Sequence, residues 1–427
     1  MPSTLRTKLA RFFGLEGKAS QTAKLIAWAG GGQPVWTPRD LASLAREGFA
    51  KNAVVYRSVR MVAEAAASVP LFLFDGESEV DEHPLLTLLA RPSPAHCAPD
   101  LFEAWYGHLL VAGNAYFEAV TVAGSLRELH VLRPDRMKLV PGPDGWPEAY
   151  DYTVGGQTVR FRQDVGAGVR PILHMALFHP LNDHYGMSPL EPAAASIDIH
   201  NASGAWNKAL LDNSACPPGA LVYSAKDGQL TPDQFERLKT ELEESFQGAR
   251  NAGRPLLLEG GLDWKAMAFS PKDMDFIAAK HVAAREMALA LGVPPMLLGI
   301  PGDNTYANYQ EANRAFWRGT VLPLTARLAQ ALGGWLAPAF GEGAPSGAGG
   351  LRLWFDADQV EALASDRAAL WERVAAADFL TVNEKRAAIG YEPVGGGDEI
   401  KADPLSLGER QNGRNARCHG PAATRHS

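Results

Sequence analysis

Cysteine is nearly absent: Cys97, Cys216 and Cys418 are the whole complement of a 427-residue chain. An odd number so widely spread excludes a disulfide framework and any zinc cluster built on close cysteine pairs, and it fits synthesis in a reducing cytoplasm. Long apolar runs are also missing. None approaches the ~18 residues that would signal a transmembrane helix, and the N-terminus lacks the apolar centre of a signal peptide. Nucleotide motifs are missing too: nothing matches GxxxxGK[ST], and the late string GAGGLR puts Arg352 where a dinucleotide fingerprint needs glycine or alanine. Neither a GxSxG elbow nor an HExxH helix occurs. Without a Walker sequence the chain is not itself an ATP-driven motor. A formal net charge of −7 argues against a broad basic surface that grips nucleic acid by neutralising phosphates.

What is present is an ordinary soluble composition, 46% hydrophobic and 21% charged, long enough for two or more structural units. The most sharply punctuated stretch runs from Ser270 to Gln310. Ser270 can cap a helix, Pro271 suits its first position, and Asp273 and Asp275 favour the positive end of its dipole. A helix from there to Leu291 would be about 30 Å long. Ile277, Ala284, Met287 and Leu291 fall on one face, and Lys280, Arg285 and Glu286 keep other sides polar. Gly292 offers a left-handed stop, and Pro294 and Pro295 forbid continuation. The loop that follows, Val293 to Tyr306, holds no lysine or arginine and a single formal charge, Asp303. A second helix starts near Ala307 and should bend, because Pro323 lacks a donor and clashes one turn back, where Gly319 lies.

Elsewhere the pattern predicts an amphipathic N-terminal segment with Leu5, Leu9, Phe12 and Phe13 on one face and Arg6, Lys8, Arg11 and Lys18 beside it. A helix from Asn52 should bury Val55, Val59, Val62 and Ala66 and lead into the strand PLFLFD. A short helix, a proline turn, an amphipathic helix stopped by Gly113, and several strands follow to about Pro180. Another long helix begins after Pro192. A β-α-β-β module follows, whose helix is capped by Thr231, Pro232 and Gln234 and carries Glu236, Glu241, Glu243 and Glu244 on its outer side. Beyond a glycine linker, LRLWFD reads as a strand and DQVEALASDRAALWERVAAADF as a helix.

ALGVPPMLLG followed by NTYANYQEANRAFWRGTVLPL, with HPLLTLL, GNAY (Gly113 to Tyr116), YGMSPL (Gly186, Ser188, Pro189 and Leu190) and NEKRAAIGYEPVGGGD, resembles the large siphophage-type portal proteins of tailed bacteriophages and of gene transfer agents. The resemblance covers roughly Asn52 to Asp398. It implies an α+β portal fold with wing, stem, clip and a short helical C-terminal crown region, assembled as a ring. On that pattern the chain divides into an N-terminal arm (1–51), the first part of the wing (52–188), a first stem helix (189–216), the clip (217–270) and a second stem helix (271–292). A tunnel loop (293–306), a kinked helix (307–340), a C-terminal wing and crown region (351–406) and a disordered tail (407–427) complete it. The short C-terminal region departs from family members that carry a large crown.

The family's function would then follow. Identical subunits, expected to be twelve, would form a channel for double-stranded DNA at one capsid vertex, docking the terminase motor and later head-to-tail adaptors, and contacting the major capsid protein. The chain would be made in the bacterial cytoplasm and reside in a virion or phage-like particle, without enzymatic activity or a cofactor. The resemblance puts Gly299, Ile300, Pro301, Gly302, Asp303, Asn304, Thr305 and Tyr306 at the DNA channel, and Glu241, Glu244, Arg250 and Arg254 on the clip facing motor or adaptors. Acidity repeated around such a ring is compatible with a duplex sliding through.

Bland readings stand beside these. Arg250 and Arg254 fit a solvated turn as well as an adaptor contact, and Tyr306 and Tyr309 can pack on helices as readily as stack in a channel. His174, His179 and His184 recur every five residues, which raises a metal-dependent hydrolase as an alternative; that spacing shares no face of a helix, and hydrogen bonding within a turn serves equally. The N-terminal amphipathic segment raises a membrane-associated scaffold.

Overall fold

The computed structural model describes residues 35–76, 78–164, 168–212, 219–223, 262–266, 276–302, 305–340 and 350–398, with isolated helical positions at 233, 236, 237 and 240. The chain divides into two compact units, 1–38 and 39–427. Of the first, only residues 35–38 are described, and its amphipathic segment lies outside them, as does the tail.

The second unit starts with α1 (Leu41–Leu44), capped by Asp40, whose carboxylate accepts from the Ser43 amide at 3.0 Å, and passes into a π-helical turn, Ala45–Ala50. Asn52 caps α2 (Ala53–Ala67) by accepting from the amides of Val54 and Val55. The expected stripe is buried: Val55, Val59, Val62 and Ala66 all face the core. Burying such side chains is worth about 1.5–3 kcal/mol each for the valines. Opposite them, Arg57 and Arg60 pair with Glu64 at the surface. α3 (Pro84–Ala90) follows and is capped by His83, and α4 (Ala98–Ala112) packs against α2 and ends at Gly113 with φ +71°.

The sheets are small and antiparallel. β1 (Leu71–Asp75) pairs with the hairpin strand β2 (Ser78–Glu79) on one side and with the far C-terminal β11 (Leu351–Phe355) on the other. β3 (Asn114–Val122) is central between β4 (Ser125–Leu132) and β8 (Ile172–Ala176). β5 (Met137–Pro141), β6 (Pro147–Val154) and β7 (Gln157–Arg162) form the next sheet, turning at Gly145 and at Gly155-Gly156, all with positive φ. The sequence pattern predicts β1, β3 to β7 and β11 and does not single out β2 or β8 as strands.

α5 (Leu190–Asp212) begins two residues before Pro192 rather than after it, because proline is accepted in a helix's first turn. It packs along α6 (Phe276–Ala290). Between them β9 (Gly219–Tyr223) and β10 (Leu262–Ala266) pair antiparallel. Ala284 and Met287 on α6, and Leu291 just past its end, are buried as expected, but Ile277 is 72% exposed. Periodicity sets its direction but supplies no partner at that end of the helix.

The bend expected near Pro323 takes a particular form. α7 (Tyr306–Phe316) runs through a π-helical turn, Trp317–Val321, into α8 (Leu322–Phe340). A wider turn at this point accommodates the missing Pro323 donor and the ring's demand for space beside residue 319. The C-terminal stretch predicted as one helix is instead two 3-10 turns followed by α9 (Ala364–Ala375), and α10 (Val382–Ala388) starts with a capping box between Thr381 and Glu384. One large core joins α2, α4, α8 and the β3 sheet. Phe117 stacks on Trp105 at 5.3 Å and on Trp335 at 6.4 Å.

A neutral loop and the motifs that anchor it

The loop after α6 is built from two consecutive helix stops. Gly292, at φ +67°, takes the left-handed position; its amide donates to the Leu289 carbonyl at 3.0 Å, and the Val293 amide reaches back to Ala288 at 2.9 Å. That is the paired closure that satisfies the last carbonyls of a helix, with buried Val293 as its apolar contact. The same arrangement repeats at once. After the 3-10 turn Pro295–Leu298, Gly299 has φ +70°, its amide donates to Met296, and the Ile300 amide donates to Pro295 at 3.2 Å. Ile300 is 7% exposed and belongs to the core, so it anchors the loop instead of projecting from it.

Gly299, Pro301, Gly302 and Thr305 are open to solvent, and the Pro301 carbonyl accepts from the Arg285 guanidinium. Thr305 caps α7, its hydroxyl accepting from the Asn308 amide at 3.3 Å, and Tyr306 is the first helical residue. A further tie holds the base of the loop: the Thr320 hydroxyl, within the π turn, donates to the Gly292 carbonyl at 2.6 Å. Asp303 and Asn304 lie outside the described residues, as do Glu241, Glu244, Arg250 and Arg254.

Two of the quoted motifs, far apart in sequence, interlock. The Asn114 carboxamide donates to the carbonyls of Ala112 (2.9 Å) and Gly186 (3.1 Å), and its oxygen accepts from the Gly186 amide at 2.8 Å. The Ser188 hydroxyl donates to the Val111 carbonyl at 2.7 Å and accepts from the Leu190 amide at the start of α5. No side chain fits at the crossing, since a Cβ on Gly186 would collide with the Gly113 carbonyl oxygen and the Leu177 amide. GNAY and YGMSPL are therefore the clasp that joins α4 and β3 to the first residues of α5.

The histidines divide by position. His174, on β8, donates Nε2–H to the Asn114 oxygen at 3.0 Å, and its Nδ1 accepts from the Tyr150 hydroxyl at 3.3 Å. A carboxamide oxygen can only accept, so the imidazole supplies the proton. Burial, with a smaller contribution from His184, holds the His174 pKa down at about 4. The His179 Nδ1 accepts from the Leu181 amide two residues on, and His184 donates its backbone N–H to Asn182. These are turn contacts, and among the described residues no group of three or more His, Cys, Asp or Glu is placed to hold a metal ion.

The C-terminal motif closes on itself. Asn383 donates to the Val394 carbonyl and to Asp398, accepts from the Val394 amide, and lies where a Cβ on Gly397 would have to go. Arg386 donates to the Glu392 carbonyl at 2.7 Å and lies over the Tyr391 ring. Sequence reading singled out these residues without seeing that they bond to one another. A buried asparagine beside obligatory glycines was the available signal.

Comparison with known proteins gives the geometry its context. The phage portal protein family matches residues 53–390. A chain in the neck of an empty gene transfer agent particle is 54% identical, superposes with a TM-score of 0.67, and the match covers 88% of this chain and 100% of that one. The neck of a native particle, computed with C12 symmetry, matches with the same identity and coverage and a TM-score of 0.65. The portal protein of Enterobacteria phage HK97 is 26% identical over 377 residues, 84% of this chain and 82% of that protein. The family match begins at the first residue of α2 and ends just past α10, spanning the loop, the Asn114–Gly186 clasp and the first part of the C-terminal motif, and the chain belongs to the phage portal protein family.

Proposed function

We propose that this chain is the subunit of a closed ring, of twelve copies in the particle, that forms the portal at one vertex of a gene-transfer-agent-like capsid. The observation that carries this is the 54% identity, across the full length of the solved chain, to a component of a gene transfer agent neck. Double-stranded DNA enters through the ring's channel during packaging and leaves through it on delivery. The terminase motor docks on the clip, residues 217–270, with Glu241, Glu244, Arg250 and Arg254 on the docking face, and head-to-tail adaptors take its place afterwards. The wing meets the major capsid protein. The role is structural, with neither cofactor nor catalysis.

Within the channel, Gly299, Pro301, Gly302 and Thr305, together with Asp303, Asn304 and Tyr306, present a rim almost without formal charge. What supports this is the double helix stop and the tie from Arg285, whose guanidinium is taken up by the loop's own backbone. A rim of this kind touches a duplex without neutralising its phosphates, so the strand slides instead of sticking. Electron microscopy of the purified full chain tests the architecture: end-on views should show rings with an open channel. A protein that stays folded and monomeric, alone and with its particle components, would sink the proposal.

A further inference from the structure

Next to the clasp, α4 borders a groove of about 610 Å³ that no described residue fills. Asp100, Ala104, Gly107 and Val111 line it from α4, while Phe49 of the π-helical turn and Tyr56 of α2 line it from their own elements, with rings 5.2 Å apart. The four α4 positions step by four, three and four residues, so the groove follows one helical face for about 16 Å. Tyr56 is 42% exposed, and Ala104 is exposed too. Gly107 is the informative residue, because glycine inside a helix is less stable than alanine. At Gly113 the Met187 backbone forbids a side chain, but at Gly107 an added Cβ would meet no atom within 4 Å. Nothing in the described chain accounts for a bare backbone there. A bulky side chain laid on α4 from elsewhere does.

A groove along a helical face is matched by an amphipathic helix that points large apolar residues into it at intervals of about three and four. Leu5, Leu9, Phe12 and Phe13 have that spacing, and in helical form they cover about 12 Å, within the length of the groove. The charges agree in sign. Arg6, Lys8 and Arg11 accompany the apolar residues, and no carboxylate precedes Glu16. On the groove, Glu103 pairs with Arg60, which leaves the exposed Asp100 in no ion pair among the described residues.

We propose that residues 5–13 of this chain, from the same copy or the next, occupy the groove, with the phenylalanines resting on Ala104 and Gly107 and the cations beside Asp100. Residues 14–34 are tether enough for either source, since they reach up to about 70 Å when extended. Ring formation is not required, so the proposal stands apart from the portal reading.

The test uses the full chain with Cys97, Cys216 and Cys418 replaced by serine. L9C marks the middle of the segment and A104C the middle of the groove, so the pair reports docking whichever way the segment runs. L9C with T153C, on the exposed side of β6, is the reference. Treated with a short bis-maleimide, the first pair should link at least fivefold faster than the second. A link within one copy gives a faster-running monomer band, and a link to the next copy gives dimers and larger species; either supports the proposal. An excess of a synthetic peptide of residues 1–20 should slow the link severalfold, and the same peptide with Phe12→Asp and Phe13→Asp should not. G107L fills the groove at the position that has room for it. It should slow the link severalfold without lowering the thermal unfolding midpoint, and Phe12→Asp with Phe13→Asp in the chain itself should do the same. Equal rates at positions 104 and 153 would overturn the proposal and leave the groove to a helix of another protein. A link rate untouched by both G107L and the double aspartate variant would overturn it as well. The rates can be read on monomers, so a failure to see rings by microscopy, which sinks the portal reading, is a separate result.

Discussion

Asn114 uses every hydrogen-bonding position of its side chain, giving two protons to carbonyls and accepting one each from Gly186 and His174. Replacing it with alanine strands two buried donors and two carbonyls at the joint between α4, β3 and the start of α5. A loss of about 3 kcal/mol is expected, read as a lower urea midpoint, and an unchanged midpoint would refute the clasp. His174 gives a pH signature. Its folded pKa, about 4, lies below its ordinary value near 6.5, so the unfolded chain takes up a proton before the folded one does. Its contribution is therefore intact above pH 6.5 and is lost as pH falls towards 4, to a total of about 3 kcal/mol. Compared with wild type, His174→Gln should flatten the stability profile in that window and leave it alone above pH 7. At this scale the sequence was only partly legible. Gly113 and Gly186 were visible as stops and motif members, but their mutual contact depends on a fold that brings residues 113 and 186 together.

α6, the neutral loop and the α7–α8 helix form one mechanical element, tied at Arg285–Pro301 and at Thr320–Gly292. Thr320→Val keeps the shape of the side chain and removes the donor. It should cost about 1 kcal/mol, and amide hydrogen exchange over residues 293–305 should quicken while exchange in α4 stays as it was; equal change in both would refute a local latch. Much of this element could be read beforehand. The stop at Gly292, the two prolines and the bend before Pro323 all follow from backbone rules. The π turn could not, since a proline forces a departure from α geometry without selecting which one. Nor could the fate of Ile300, because an apolar residue between two glycines reads equally as a rim or as an anchor, and only the second left-handed closure turns it inward.

For the whole molecule, each copy brings a net charge of −7, and the proposed channel works by avoiding attachment. Asn304→Lys with Thr305→Lys would add two cations per copy to the rim. Packaged DNA per particle should fall severalfold, and a Thr305→Ala control, which removes the cap of α7 without adding charge, should stay near wild type. Packaging at normal levels in the double lysine variant would rule out the rim. The β-α-β-β module and its charged positions were legible as pattern only, and its side chains Glu241 to Arg254 fall outside the described residues. Least legible was the partnership of β1 and β11. Each reads as a short apolar strand, and nothing local in PLFLFD says that its neighbour is LRLWFD, near the other end of the chain. That pairing has a consequence in time. Leu73 and Leu353 face the core from these two strands, so this sheet cannot be completed until residue 355 has left the ribosome. Until then the edge of β1 stays open, and α5 and α6, synthesised earlier, are attached to an unfinished body. In the proposed portal, ring closure would thereby be deferred until this sheet is complete, and a product truncated before residue 351 would be excluded by its own incomplete sheet.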